Sequence, residues 1–173
     1  MRSFFLLFLS QWEPVAALNT SAVLGGEPTL TPHMYTPIKR VSWRQPVKMT
    51  HTANGSVVFH FEHNFVGWVD VLNVQGPSGS PLYLAYGEQL RLDNGTVCLV
   101  DCGGAANASV VYPFGGQVDT LVLAGRGVPE NFTSHFTYKG FQFVQVNGWP
   151  AGWPISLSSV RGAIVHSDNV QVR

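Results

Sequence analysis

Residues 57–74, VVFHFEHNFVGWVDVLNV, carry the pattern that decides the fold of this chain. Val57–Phe61 and Trp68–Val74 are rich in β-branched and aromatic residues, as half-buried strands are. The sequence has no sustained 3.6-residue hydrophobic period, so it does not predict a helix. The sequence therefore predicts an all-β fold, an antiparallel β-sandwich or jelly roll. Further strand segments, each bounded by turn signals, are predicted at residues 82–86, 109–112, 118–123, 132–138, 141–146 and 160–166.

The rest of the chain divides into an irregular start and the predicted sandwich. Residues 1–18 resemble either a signal peptide or the tail of a preceding domain, and residues 19–55 are predicted to form an extended Pro-rich lead-in. The sandwich is predicted over residues 56–168, with residues 97–107 as an excursion from it. Turns are predicted at Gly76-Pro77-Ser78-Gly79 and Asp93-Asn94-Gly95, and a two-residue hairpin connection at Lys139-Gly140.

The composition excludes several classes of protein. The 173 residues contain 10 Lys+Arg and 10 Asp+Glu, so the chain lacks the positive charge expected of a nucleic-acid-binding protein. With 45% hydrophobic and 12% charged residues, it is too apolar to be disordered. The 18 glycines and 11 prolines interrupt the windows that a helical bundle would need. We therefore expect a turn-rich domain without a nucleic-acid partner.

The sequons favour secretion, whereas the N-terminus points both ways. The apolar run Phe4–Leu9 is shorter than the core of about 7–15 residues in a signal peptide and far shorter than the roughly 20 of a membrane span, although Val15-Ala16-Ala17 resembles a cleavage site. Asn-x-Ser/Thr sequons are also more frequent than chance predicts, although turn-rich loops favour the same residues. We expect a secreted glycoprotein without a membrane span. The candidate glycosylation sites are Asn19, Asn54, Asn94, Asn107 and Asn131.

The two cysteines lie close together in the sequence. Cys98 and Cys102 either close a small local disulfide or remain two free thiols. A zinc site is not expected, because zinc prefers four ligands and no second pair of Cys or His stands at a suitable spacing. The pair therefore predicts a local loop feature and no metal centre.

No catalytic constellation is evident among the polar residues. Glycoside hydrolysis needs two facing carboxylates, and the acidic residues of this chain form no cluster that marks such a pair. His60 and His63 would point to opposite sides of a strand, and His166-Ser167-Asp168 cannot converge as neighbours on an extended chain. We therefore expect no catalytic residue, no metal ligand and no cofactor.

A carbohydrate contact is the binding function that the sequence suggests. Trp149 and Trp153 flank Pro150-Ala151-Gly152 in a predicted loop, where large rings are available to stack on sugar faces. Glu88, which follows a strand end, is the carboxylate that could join them. The alternative is that both tryptophans pack against the sandwich or against another domain.

A series of motifs resembles one known family in the same order along the chain. Phe61–Val69 is similar to the Asn-x-Val-Gly-Trp-Val segment of the concanavalin-like β-sandwich domain of α-L-rhamnosidases. The departures, at Glu62-His63, Gly87, Thr120 and Ser134 and over residues 98–107, fall on turns and edges. Further matches are Gly76–Gly79, Tyr86–Leu90, Asp93–Thr96, Asp119–Gly125, Phe136–Val146 and Val165–Asp168.

The resemblance implies a fold and a partner but no catalytic residue. It implies a concanavalin-like or galactose-binding-like sandwich that supports hydrolysis of terminal α-L-rhamnosides. The acid and base of this family lie in an (α/α) barrel downstream of the sandwich, so residues 169–173 would begin a linker to that catalytic domain. Two alternatives are a stand-alone secreted carbohydrate-binding protein, with a rhamnosylated glycan as its ligand, and a gene fragment without function.

Overall fold

The computed structural model describes residues 34–99 and 117–168, together with positions 16, 25, 29, 31 and 32. All described strands lie in one compact unit, residues 36–173, and residues 1–35 form a separate unit. None of the described segments forms a helix long and apolar enough to cross a membrane. The strands are β1 (Ile38–Arg44), β2 (Lys48–His51), β3 (Val57–Val74), β4 (Pro81–Gly87), β5 (Val118–Val122), β6 (Glu130–Thr133), β7 (Lys139–Asn147) and β8 (Val160–Ser167), with a 3₁₀ helix at Leu157–Ser159 before β8.

The strands form one curled antiparallel sheet that encloses the core. The strand order is β1-β8-β3-β7-β4-β5, and β2 and β6 each pair with β3. The first part of β3 pairs with β2 and β7, whereas its last part pairs with β8 and β6. The predicted all-β, antiparallel fold is confirmed. The prediction of two separate strands in this segment is wrong, because pairing continues past the exposed residues 62–64 that interrupt the alternation.

An irregularity in β3 is stabilised by one side chain of β7. The register between β3 and β7 shifts between His60 and Phe65. The Gln142 amide donates hydrogen bonds from Nε2 to the carbonyls of Phe61 (3.2 Å) and Glu62 (3.3 Å) at this place. These carbonyls lie where the ladder is interrupted, so the Gln142 side chain supplies the donor that the backbone of β7 does not.

We expect Gln142→Ala to lower the free energy of unfolding by about 1 kcal/mol, because the two carbonyls lose a protein donor. Urea denaturation with tryptophan fluorescence measures the change. Gln142→Asn, whose amide is one methylene shorter, should recover little of the loss. An unchanged denaturation midpoint for Gln142→Ala would show that water replaces the side chain without cost.

The core enclosed by the curled sheet contains an aromatic cluster. The ring centroids of Phe65 and Phe141 are 4.4 Å apart, those of Phe61 and Phe65 are 5.2 Å apart, and those of Tyr86 and Phe141 are 5.0 Å apart. Such tilted and edge-to-face contacts add to the stabilisation from burial. The cluster packs with buried valines and leucines of β3, β4 and β7.

Two strands lie within the lead-in that the sequence predicted to be irregular. β1 pairs with β8 and β2 pairs with β3, so residues 38–51 belong to the sheet. Both strands were missed because their residues are almost all exposed or half-buried, which removes the alternation of apolar and polar residues. Pro37 and Pro46, which in the sequence suggest an irregular chain, lie on either side of β1.

The predicted hairpin at Lys139-Gly140 is also wrong. Both residues lie in β7, and Lys139 is 7% exposed. Because β6 and β7 are both antiparallel to β3, they run in the same direction, and residues 134–138 connect them without reversing the chain. Lys139 resembled a turn residue because a buried lysine within a strand is rare. The predicted strand at 109–112 lies outside the described residues.

Candidate functional site

The two tryptophans of the predicted contact lie together in one groove. Trp149 and Trp153 line a groove of about 530 Å³ together with Gly76, Pro77 and Pro150. A groove of this size is within the range of small-ligand sites. The structure therefore brings Trp149 and Trp153 into one surface, as a sugar-stacking site would need.

Both indole N–H groups are used to hold the loop in place. Trp149 Nε1 donates to the Trp153 carbonyl (3.1 Å), and Trp153 Nε1 donates to the Asn73 carbonyl (2.7 Å). Trp149 also packs against the hydrophobic core. Gly148 and Gly152 have φ angles of 79° and 77°, which allow the chain to turn tightly around the rings. The ring faces, not the indole nitrogens, are thus what the groove offers to a ligand.

Glu88 lies in a different cavity from the tryptophans. That cavity, of about 270 Å³, is lined by Glu88, Gln89, Cys98 and Gln117 among others. The Gln117 side chain exchanges two hydrogen bonds with the backbone of Gly140, at 3.0 and 3.1 Å. The structure therefore does not bring Glu88 together with Trp149 and Trp153 in one groove.

A buried polar cluster lies around Asp119, and the sequence did not identify it as a unit. The Lys139 ammonium is 2.7 Å from Asp119 Oδ1, and both Tyr86 (2.8 Å) and Ser134 (2.6 Å) donate their hydroxyls to Oδ2. Lys139 also donates to the Thr137 hydroxyl at 3.1 Å. No described buried side-chain nitrogen or oxygen lacks a hydrogen-bond partner. The only sequence signal for this cluster was an aspartate inside a strand, and its partners are up to 33 residues away.

The electrostatics of this cluster keep Asp119 ionised. Burial alone would raise the pKa of the Asp119 carboxyl, but hydrogen bonds from Lys139, Ser134 and Tyr86 outweigh burial and lower the pKa. Burial and the neighbouring Asp119 charge raise the pKa of the Tyr86 phenol well above its usual value. An ionised, ion-paired carboxylate is a poor proton donor, so the cluster stabilises the fold and does not resemble a general acid.

A second ion pair lies on the outer face of the sheet. Asp70 is 2% exposed and pairs with Arg161 at 3.0 Å, and Trp68 Nε1 donates to its other oxygen at 3.2 Å. The Arg161 guanidinium stacks 3.7 Å from the ring centre of Trp43, and Arg40 stacks on the same ring at 4.3 Å. This arrangement anchors the edge strand β1, which carries Arg40 and Trp43, to β8 and β3.

An exposed apolar surface lies beside the carboxyl end of β8. Ile38 (51% exposed), Val66 (46%) and Tyr138 (55%) line a shallow cavity of about 280 Å³ with Val165 of β8. We call these four residues the apolar face. Phe136, two residues before Tyr138, is fully exposed and has a φ of 59°, a conformation that is costly for an aromatic residue. Contiguous exposed apolar residues of this kind mark interaction surfaces.

Three predicted glycosylation sites are exposed in the described residues. Asn54 and Asn94 lie in turns, where each accepts hydrogen bonds from the hydroxyl and backbone N–H of the residue two positions ahead. Asn131 lies in β6. Asn19 and Asn107 lie outside the described residues.

Of the two alternatives for the cysteines, the structure shows the disulfide, and it describes one of its two ends. Cys98 is 5% exposed and disulfide-bonded, and its predicted partner Cys102 lies outside the described residues. Nowhere in the described ranges do three His, Cys, Asp or Glu side chains gather closely enough to hold a metal ion.

Comparison with known proteins identifies the family of this sandwich. The α-L-rhamnosidase of Streptomyces avermitilis is 34% identical over 120 residues, which are 69% of this chain and 10% of that enzyme. The crystal structure of native α-L-rhamnosidase from Aspergillus terreus superposes with a TM-score of 0.61 at 32% identity, over 77% of this chain and 14% of that one. The α-L-rhamnosidase from Dictyoglumus thermophilum gives a TM-score of 0.64 at 28% identity, over 83% and 14%.

The chain thus spans between 10% and 14% of the length of these relatives. A family model described as the bacterial α-L-rhamnosidase concanavalin-like domain matches residues 50–166. That range contains β3 to β7 and nearly all of β8. It also contains the motifs that carried the resemblance from Phe61–Val69 to Phe136–Val146, and the first two residues of Val165–Asp168. The matched range is well over half of the 173 residues, so this chain belongs to the concanavalin-like domain family of the α-L-rhamnosidases.

Proposed function

We propose that this chain is the non-catalytic β-sandwich module of an α-L-rhamnosidase-type glycoside hydrolase. In this proposal a separate (α/α) barrel hydrolyses terminal α-L-rhamnosides, and the sandwich packs beside it. The small share of each relative that the chain spans supports an accessory role. Asp70, the most deeply buried carboxylate among the described residues, and Asp119, at the centre of the buried cluster, are both held in ion pairs.

The observation that carries the proposal is the apolar face. Ile38, Val66 and Tyr138 leave apolar surface in water that docking against a second domain would bury. Val165, near the end of β8, is buried beneath these three residues and belongs to the same face. Docking of a catalytic domain on this face would remove its apolar surface from water and so stabilise the complex. The phenolic hydroxyl of Tyr138 could form a hydrogen bond across the interface.

Docking can be measured with a related enzyme from which the segment matching this chain has been deleted. We expect the purified chain to bind the S. avermitilis enzyme from which the matching 120 residues have been deleted. Tyr138→Ser should weaken this binding about tenfold in isothermal titration, because buried tyrosines are often central to interfaces. Leu92→Ser, which changes a fully exposed leucine outside the face, is the matched control and should bind like the wild type. Equal affinities for Tyr138→Ser and the wild type would contradict docking through this face.

The second candidate function is carbohydrate binding by a secreted, stand-alone protein. The groove that Trp149 and Trp153 line supports it. In this case the isolated chain binds a rhamnosylated glycan on an array, and Trp149→Ala or Trp153→Ala abolishes the signal. Failure to bind any rhamnoside would argue against this function and leave the accessory role in place. Secretion and glycosylation belong to the same proposal, and they rest on the sequons.

A further inference from the structure

Asn73 connects a glycosylation sequon to the tryptophan groove. Asn73 lies in β3 with a φ of 53°, in the left-handed region, where the register between β3 and β6 shifts. Its backbone N–H donates to Asn131 Oδ1 at 2.8 Å, and its carbonyl accepts a hydrogen bond from the indole N–H of Trp153 at 2.7 Å. The sequon asparagine and the groove tryptophan are therefore bound to the backbone N–H and the backbone carbonyl of one residue.

The geometry of Asn131 suits a glycosylated side chain. Its side chain is exposed, and its oxygen is the atom engaged with Asn73. In N-glycosylation the amide nitrogen attacks C1 of the first sugar of a lipid-linked oligosaccharide, the lipid diphosphate leaves, and the amide loses one proton. The amide oxygen is not consumed, so the hydrogen bond from Asn73 survives the modification and fixes the direction of the attached sugar.

We propose that Asn131 carries an N-glycan and that its first sugars lie on the groove formed by Trp149 and Trp153. The groove is apolar along Pro77, Pro150 and the tryptophan rings, which suits the C–H face of a pyranose. Its occupant is then the protein's own glycan, and this inference goes beyond the accessory role in hydrolysis. The bound glycan would shield the ring faces from water and hold the loop that contains Trp153 against β3.

The other described sequons provide an internal comparison. Asn54 and Asn94 use their side-chain oxygens within their own turns, with Ser56 and Thr96 respectively. Neither side chain is bound to a residue that also binds a tryptophan. Glycans at these two sites should therefore project into solvent, and they serve as controls for the glycan at Asn131.

The test is the rate at which an endoglycosidase releases each glycan from the folded protein. The chain is secreted from eukaryotic cells, and glycopeptide mass spectrometry follows each site separately. We expect the Asn131 glycan to be released about two- to tenfold more slowly than the Asn94 glycan, the range that an aromatic contact of ordinary strength gives. Trp153→Ala should remove this difference, whereas Trp153→Phe, which retains a ring, should preserve part of it. Circular dichroism checks that both variants remain folded.

Three results would overturn the proposal. The first is an unglycosylated Asn131 in a protein whose Asn94 is occupied. The second is release of the Asn131 and Asn94 glycans at equal rates from the wild type. The third is a groove that serves an external sugar: a free oligosaccharide would then bind the glycosylated protein as tightly as Asn131→Gln, whereas an intramolecular glycan predicts that only Asn131→Gln binds it.

Discussion

Replacing Asp119 with Ala is expected to lower the free energy of unfolding by about 3–5 kcal/mol, because it leaves the buried Lys139 ammonium without its anion. The two side chains are only 14% and 7% exposed, so water cannot replace the lost partner. The hydroxyls of Tyr86 and Ser134 lose their acceptor in the same variant. Urea denaturation at pH 7 measures the loss.

The matched control is Asp93→Ala. Asp93 also forms an ion pair, with Arg91 at 3.0 Å, but this pair lies in an exposed turn. Its removal should leave the denaturation midpoint nearly unchanged, because exposed pairs are screened by solvent. Equal losses of stability in Asp93→Ala and Asp119→Ala would contradict the claim that burial is what makes the Asp119 cluster contribute strongly to stability.

The contribution of Asp119 should depend on pH in one direction. Because the folded-state pKa of Asp119 is lowered, its contribution is fully present above the unfolded-state pKa of about 3.9 and is lost as the pH falls through the folded-state value. The difference in stability between the wild type and Asp119→Ala should therefore narrow below about pH 4. A constant difference between pH 7 and pH 3 would show that the carboxylate charge is not what the variant removes.

Gly67→Ala is expected to lower the free energy of unfolding by roughly 3 kcal/mol or more. A Cβ atom at Gly67 would lie 1.7 Å from the carbonyl oxygen of Ala163 in β8, and backbone atoms on both strands would have to move. Since β3 and β8 are paired there, the substitution would separate the strands that join β1 to the rest of the sheet. Thermal denaturation followed by circular dichroism measures the effect.

Gly140→Ala is the matched control for this substitution. A Cβ atom there would meet only the end of the exposed Glu88 side chain, at 3.2 Å, and that side chain can move away. We expect a change below about 1 kcal/mol. A loss for Gly140→Ala as large as that for Gly67→Ala would mean that both positions respond to a general effect of alanine in strands and not to the close approach of β3 and β8.

The fold class could be predicted because its signal is local. The segment 57–74 indicates strands through its own β-branched and aromatic side chains, without reference to the rest of the chain. Pairing is not local, so the continuity of β3 could not be predicted: the donor that spans its irregularity, Gln142, is 80 residues from Glu62. β1 and β2 were missed for a related reason: β1 is largely exposed and β2 has only four residues, of which Met49 packs against the core, so neither strand shows a clear alternation of apolar and polar residues.

The candidate site also combines features with a local sequence signal and features that depend on residues far apart in the sequence. Trp149 and Trp153 are four residues apart in a loop rich in Gly and Pro, so the sequence could place both rings in one loop, and the structure adds the groove that they line. The Asp119 cluster could not be predicted from the sequence, because its members come from β4, β5, β7 and the connection between β6 and β7. Lys139 even misled the prediction, since a charged residue before glycine resembles a turn and its burial depends on a carboxylate 20 residues away.

The measurement that tests the central claim most directly is hydrolysis of an aryl α-L-rhamnoside by the purified chain. The S. avermitilis α-L-rhamnosidase serves as the positive control at the same molar concentration. If the chain is a non-catalytic module, it releases no aryl alcohol above the rate of the uncatalysed reaction. Release of the alcohol by the chain alone, reduced in Asp119→Asn or Asp70→Asn while the variant stays folded, would contradict the account.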